Sequence, residues 1–254
     1  MTIIRIAHLY PDLMSVYGDR GNVLALVRRA EWRGLTVSVA EVSIGDRLDA
    51  DTDLIFFGGG QDREQTVVSE DFLRGKGAAV CDAVADGAAL LAVCGGYQLL
   101  GSSYTTVDGE QLPGANLFDV RSVPGPKRHI GNVLVMTELD GIRNTLVGFE
   151  NHSGRTYLGA GARPLGRTLV GAGNNGEDGT EGALLGNAHG CYLHGSLLPK
   201  NPWFADRLLA AALAHRTGEP TPLAPLDDRL EVAAHRAVEQ RVRGAGGRVA
   251  SGAW

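Results

Sequence analysis

The stretch AALLAVCGGYQLLG, residues 88–101, sets six apolar residues, a cysteine, two glycines and the opening of a second apolar run in one line. Six apolar residues in succession, with no alternation, suit a strand covered on both faces, the pattern of a parallel sheet flanked by helices. The glycine pair permits a sharp turn, and YQLLG can open a helix behind it. Such a strand-to-helix turn presents its side chain at the carboxyl end of the sheet, where folds of this class bind ligands. Cys94 is therefore a candidate nucleophile, its thiolate favoured by the adjacent helix N-terminus. The competing reading is a small buried hydrophobe, because unpaired cysteine is among the most buried residue types.

Outward from this stretch the same grammar continues. IIRIAHL (3–9), LTVSVAEV (35–42) and DLIFFGGG (53–60) read as strands, and Leu24, Val27 and Ala30 recur every third residue in a helix over 22–32. Ser69 can cap a helix running to Asp86. The alternation predicts an α/β fold in three layers, with a mostly parallel central sheet between helices. Between Gly101 and Asn187 the apolar stretches shorten, as in NVLVMTEL (132–139), TLVGFE (145–150) and RTLVGAGNNGEDG (167–179), and predict a more antiparallel portion. GCYLHG (190–195) reads as a strand, Pro202 starts a helix to His215, and a last helix spans 228–243. The expected organisation is one domain over 1–243 followed by a flexible tail, 244–254.

Composition removes several classes of function. A formal charge of −5 argues against a binder of phosphate backbones. No run of about 18–20 apolar residues offers a membrane span, and MTIIRIAHLYPDL lacks a secretory pattern, so a cytoplasmic location is expected. Cys81, Cys94 and Cys191 are too few and too far apart for a disulfide framework or a zinc site, which predicts reduced thiols and no metal centre.

A cysteine nucleophile needs a base, and the chain holds seven histidines. In NAHGCYLHG, strand alternation puts His194 with Tyr192 on one face and His189 with Cys191 on the other, so Cys191 and His194 do not meet. His194, just before a glycine at the strand end, is the preferred base, and His189 is the runner-up. His8, His129, His215 and His235 read as satisfied surface or capping residues, and His152 as part of a polar loop near the site. Cys81 reads as core packing in a helix. The run Gly58–Gly60 fits neither a P-loop nor a dinucleotide fingerprint. It suits either an ordinary tight turn or the approach of a backbone N–H to a developing oxyanion.

Taken together, HLYPDLMSVYGDRGNVLAL (8–26), FFGGGQDREQ (56–65), CGGYQLLG (94–101), GFENHSGRTYLG (148–159), GNNGEDGTEG (173–182) and YLHG (192–195) carry a resemblance. The chain resembles class I glutamine amidotransferases of the cobyric acid synthase type and, more closely, the glutaminase-subunit family of lipid II isoglutaminyl synthases. The resemblance implies Cys94 as nucleophile, His194 as general base and acid, Arg128 and Gln98 as contacts to glutamine, and amides at Gly60 and Gly95 as oxyanion donors. It implies no cofactor in this chain. ATP and magnesium are expected on a MurT-like Mur ligase partner that forms a heterodimer with it and carries lipid II, which brings the pair to the inner face of the membrane. One position departs from the wider pattern: Ser196 stands where many class I enzymes carry the glutamate that orients the histidine, and the family suggests a partner aspartate instead. The rival functions are a subunit for cobyrinic acid-type amidation, a stand-alone γ-glutamyl cysteine hydrolase, and a scaffold in which Cys94 only packs.

Overall fold

The computed structural model describes residues 2–60 and 62–244. In chain order the strands are β1 (Ile3–Leu9), β2 (Thr36–Val42), β3 (Leu54–Phe57), β4 (Ala89–Val93), β5 (Ser103–Thr105), β6 (Gln111–Pro113), β7 (Val120–Leu139), β8 (Ile142–Leu158), β9 (Gly166–Val170), β10 (Thr180–Glu181), β11 (Ala183–Leu185) and β12 (Ala188–Cys191). The helices are α1 (Arg20–Glu31), α2 (Asp62–Asp71), α3 (Gly77–Asp86), α4 (Gly95–Leu99), α5 (Pro202–Thr217) and α6 (Arg229–Gly244).

The first sheet runs β11-β12-β4-β3-β1-β2, and every pairing in it is parallel except that of the edge strand β11. Its centre is as apolar as its sequence: all residues of β3 and β4 are buried. At the rim, β2 exposes most of its length, as an edge strand does. The carboxyl ends of β1, β3, β4 and β12 point the same way, so the segments that follow them converge at one edge of the sheet. The second sheet is built round a long antiparallel hairpin of β7 and β8, closed by Asp140 and Gly141 with φ of 54° and 75°. Two consecutive left-handed residues make the hairpin turn whose twist matches that of the strands. At the hairpin's far end the register shifts between Pro124 and His129, and this irregular end reaches over the carboxyl edge of the first sheet.

Several expectations need correction. The helix expected from Ser69 begins at Asp62 and passes through a π-helical turn, Phe72–Lys76, into α3. Ser69 lies inside it, its hydroxyl donating to the carbonyl of Thr66, the back-bonding that serine adopts within helices. The strand expected over 53–60 ends at Phe57, and Gly58–Gly60 leave the ladder. The short stretches at 132–139 and 145–150 are the inner parts of β7 and β8. His8 is buried edge-on against Phe56, not at the surface, and burial pulls its basicity down. The last helix ends at Gly244, and the tail expected beyond it, 245–254, lies outside the described residues.

Candidate active site

Cys94 closes β4 with φ 51° and ψ −105°, a backbone that residues with a side chain rarely adopt. The turn is over-determined. The Cys94 amide donates to the carbonyl of Cys191 on β12 (2.8 Å), and the Gly96 amide donates to the carbonyl of Gly58 beyond β3 (3.1 Å). A Cβ on Gly96 would stand 2.5 Å from the Phe57 carbonyl oxygen, so the second glycine of the pair is a steric requirement. Cys94 is 7% exposed, and it lines a narrow cleft with Tyr17, Gly60, Gln98, Arg128 and His152.

The strand expected over 190–195 ends at Cys191, and His194 is brought to the same place by leaving the parallel sheet. After β12 its amide donates to the Phe149 carbonyl (2.8 Å) and its carbonyl accepts from the Phe149 amide (3.2 Å), which pins it to β8. The imidazole is fully buried and faces Cys94, and Gly59 lies against both side chains: a Cβ there would stand 2.7 Å from His194 Cε1 and 3.1 Å from Cys94 Cβ. The ring edge of Tyr17 lies over it, with centroids 5.0 Å apart. Its Nε2 has no hydrogen bond among the described residues, while Nδ1 stands 3.1 and 3.2 Å from the two carboxylate oxygens of Asp19. Burial alone would lower the proton affinity of this imidazole. Cys94 and Asp19 overcome it and raise its pKa to about 10, so the ring is held as imidazolium.

Asp19 is the residue that sequence reasoning missed. This chain supplies a carboxylate at Nδ1 itself, from the turn between β1 and α1. Ser196, in the place of the usual glutamate, turns away and donates to the Gly18 carbonyl (2.6 Å). The signal lay in YGDRGN, an aspartate at the carboxyl edge of a parallel sheet, which by itself reads as a helix cap.

The remaining candidates separate clearly. Arg128 sits at the irregular end of β7, exposed, its guanidinium donating to the Asn151 side-chain oxygen (3.1 Å) at the mouth of the cleft. Gln98 is buried in the cleft wall, accepting from Gln65 (2.7 Å) and donating to the Tyr192 hydroxyl (2.9 Å), so one N–H remains for a ligand. Among the described residues the amides of Gly60 and Gly95 donate to no protein acceptor, and Gly95 is the first residue of α4, where amides lack intrahelical partners. His152 belongs to β8 and not to a loop, stacked on Tyr192 at 3.8 Å and lining the cleft. His189 packs edge-on against Phe204 of α5, and burial lowers its pKa to about 4. Cys191 is fully buried, which pushes its thiol up, and Cys81 lies half-buried in α3 with its sulfur against the Ala115 carbonyl.

Residues 5–202 match the CobB/CobQ-like glutamine amidotransferase domain. The chain is 38% identical over 239 residues to the Lipid II isoglutaminyl synthase (glutamine-hydrolyzing) subunit GatD of Staphylococcus aureus, covering 94% of this chain and 96% of that one. It is 38% identical over 229 residues to the subunit of the same name from Streptococcus pneumoniae, covering 89% and 87%. PurLQS from Thermotoga maritima shares the fold, with a TM-score of 0.58 at 16% identity over 86% of this chain and 99% of that one. The chain belongs to the CobB/CobQ-like glutamine amidotransferase family and, within it, to the branch that holds the GatD subunits.

Proposed function

We propose that this glutamine amidotransferase is the glutaminase subunit of a lipid II isoglutaminyl synthase. The observation that carries the chemistry is the buried line from Asp19 through His194 to Cys94, set beside two glycine amides that bond no acceptor among the described residues. Arg128 at the cleft mouth pairs with the α-carboxylate of glutamine through its planar fork. The Cys94 thiolate adds to the side-chain carboxamide carbon, the carbonyl π electrons move to oxygen, and the Gly60 and Gly95 amides receive the oxyanion. His194 protonates the nitrogen as the C–N bond breaks and ammonia departs. The same imidazole, now neutral, takes a proton from water, whose oxygen attacks the thioester and releases glutamate and the thiolate.

Ammonia set free in neutral water becomes ammonium, which is no nucleophile, so the product must pass under cover to an acceptor. Both GatD relatives are named as subunits. No nucleotide-binding motif occurs in this chain to activate a carboxylate. A MurT-like Mur ligase using ATP and magnesium is the proposed partner, activating the α-carboxyl of D-glutamate in the lipid II stem peptide for conversion to D-isoglutamine. Among the described residues no helix is long and apolar enough to cross a membrane, and lipid II would be presented by the partner. The cobyrinic acid reading has less support, because the relatives matched along nearly their whole length are GatD subunits.

Co-expression with such a ligase tests the division of labour. The pair is expected to amidate lipid II with glutamine, and neither protein alone. Amidation by this chain unaided would contradict it.

A further inference from the structure

The turn entering α1 is conformationally demanding: Tyr17 and Gly18 are both left-handed, with φ of 57° and 81°. It delivers Asp19 to the position before α1, where an aspartate ordinarily accepts from the second or third amide of its helix. Asp19 makes no such bond. Its carboxylate is fully buried and turns the other way, standing 3.1 and 3.2 Å from His194 Nδ1 while Oδ2 accepts the Gly59 amide at 3.0 Å. A buried carboxylate is costly unless it is fully partnered, and both partners here belong to the site. Gly59 lies against both the imidazole and the nucleophile, and the next amide along is that of Gly60.

We infer that Asp19 is a double positioning residue, one carboxylate that orients His194 with Nε2 toward Cys94 and, through the Gly59 amide, aligns the glycine loop so that Gly60 can serve the oxyanion. The inference rests on the glutaminase reading. The ionisable groups facing His194 are Cys94 at the end of β4, Asp19 before α1, Tyr17 in the same turn and Glu181 on β10. Of these only Asp19 stands on Nδ1, and its charge supports the imidazolium. A neutral replacement therefore lowers the pH at which the imidazole loses its proton.

The two arms separate in the full chain assayed with its partner subunit. Asp19→Asn keeps an oxygen for the Gly59 amide but donates an N–H to Nδ1, which fixes the wrong tautomer. It is expected to lower kcat by about 10²–10⁴-fold, the range for a tautomer-holding carboxylate. KM should stay within about threefold, and the alkaline limb of the kcat/KM profile should move to lower pH by a unit or more. Asp19→Ala also frees the loop: kcat falls about tenfold further, and hydrogen exchange at residues 58–60 speeds up about tenfold over Asp19→Asn. If both variants match an active wild type in kcat and in the alkaline limb, Asp19 serves the fold alone and the inference is overturned. Equal kcat and equal exchange in Asn and Ala variants overturn the loop arm. Should the Ala variant fail to fold, an unmoved limb in Asp19→Asn decides against it. A wild type that releases no ammonia from glutamine overturns the glutaminase reading together with this one.

Discussion

Two histidine–carboxylate pairs stand at opposite ends of the parallel sheet. At the carboxyl end His194 Nδ1 meets Asp19 at 3.1 Å; at the amino end His215 Nδ1 meets Asp53 at 2.8 Å. By distance the second pair is the better one. Yet His215 also gives its Nε2 to Asp86 (3.3 Å), and Asp53 also accepts from Arg216 (2.9 Å) and from the Arg5 amide (2.7 Å). Both nitrogens of that imidazole are spent on tying α5 to Asp53, just ahead of β3, and to Asp86 at the end of α3. His194 keeps Nε2 without a hydrogen bond among the described residues, beside a thiol on a strained turn, with glycines on the side a substrate must approach. A carboxylate–imidazole pair becomes chemistry only where its other nitrogen is left unspent next to a nucleophile.

The comparison breaks most visibly at the nucleophile. Cys94→Ser is expected to lower glutamine hydrolysis at least about 10³-fold without shifting the unfolding midpoint, while His215→Ala leaves kcat within about twofold. An effect of His215→Ala on kcat like that of Cys94→Ser would erase the distinction. The second difference is in pH. With the His194 pKa raised to about 10, the protonated acid persists across the neutral range, so kcat/KM should fall on the alkaline side near pH 10. An unperturbed imidazole would place that limb near 6.5, about a 300-fold loss by pH 9. The same raised value contributes stability that is complete below about pH 6.5 and is lost as pH climbs through 10.

Stability should discriminate the two ends in the opposite sense. Asp53→Asn removes the charge and one acceptor oxygen of a fully buried carboxylate paired with Arg216 and is expected to cost about 3 kcal/mol in urea unfolding, with kcat little changed. Glu181→Gln acts beneath the catalytic end. Burial raises this carboxyl to about 8, against the Tyr192 amide that it accepts and with Glu150 adding to the rise. The folded chain then holds a proton that the unfolded chain releases above about pH 4.5, so stability declines from there to about pH 8. The substitution should therefore stabilise by about 2 kcal/mol at pH 7 and do nothing at pH 4, read by parallel urea titrations.

Much of the first sheet could be read along the chain because its order is local. Six apolar residues, a cysteine and two glycines carry the elbow, whereas strand alternation does not reach His194, because the strand ends at Cys191 and His194 is bridged to Phe149 of β8. What could not be read depends on distant contacts. Asp19 and His194 are 175 residues apart, and before folding Asp19 is indistinguishable from any helix cap. The β7–β8 hairpin was visible only in pieces because Pro124, Gly125, Pro126 and Gly131 interrupt its apolar pattern, although Asp140 and Gly141 mark its turn. The chain of buried hydroxyls and amides from Gln65 through Gln98, Tyr192 and Thr156 to Ser122 joins both sheets, and no sequence period encodes it.

The most direct measurement treats the full chain with 6-diazo-5-oxo-L-norleucine, an electrophile shaped like glutamine, and maps the adduct by peptide mass spectrometry. A single adduct on Cys94, slowed by competing glutamine, is the result expected of a nucleophile at the sheet's carboxyl end. An adduct on Cys81 or Cys191, or none while glutamine is still hydrolysed, would contradict it.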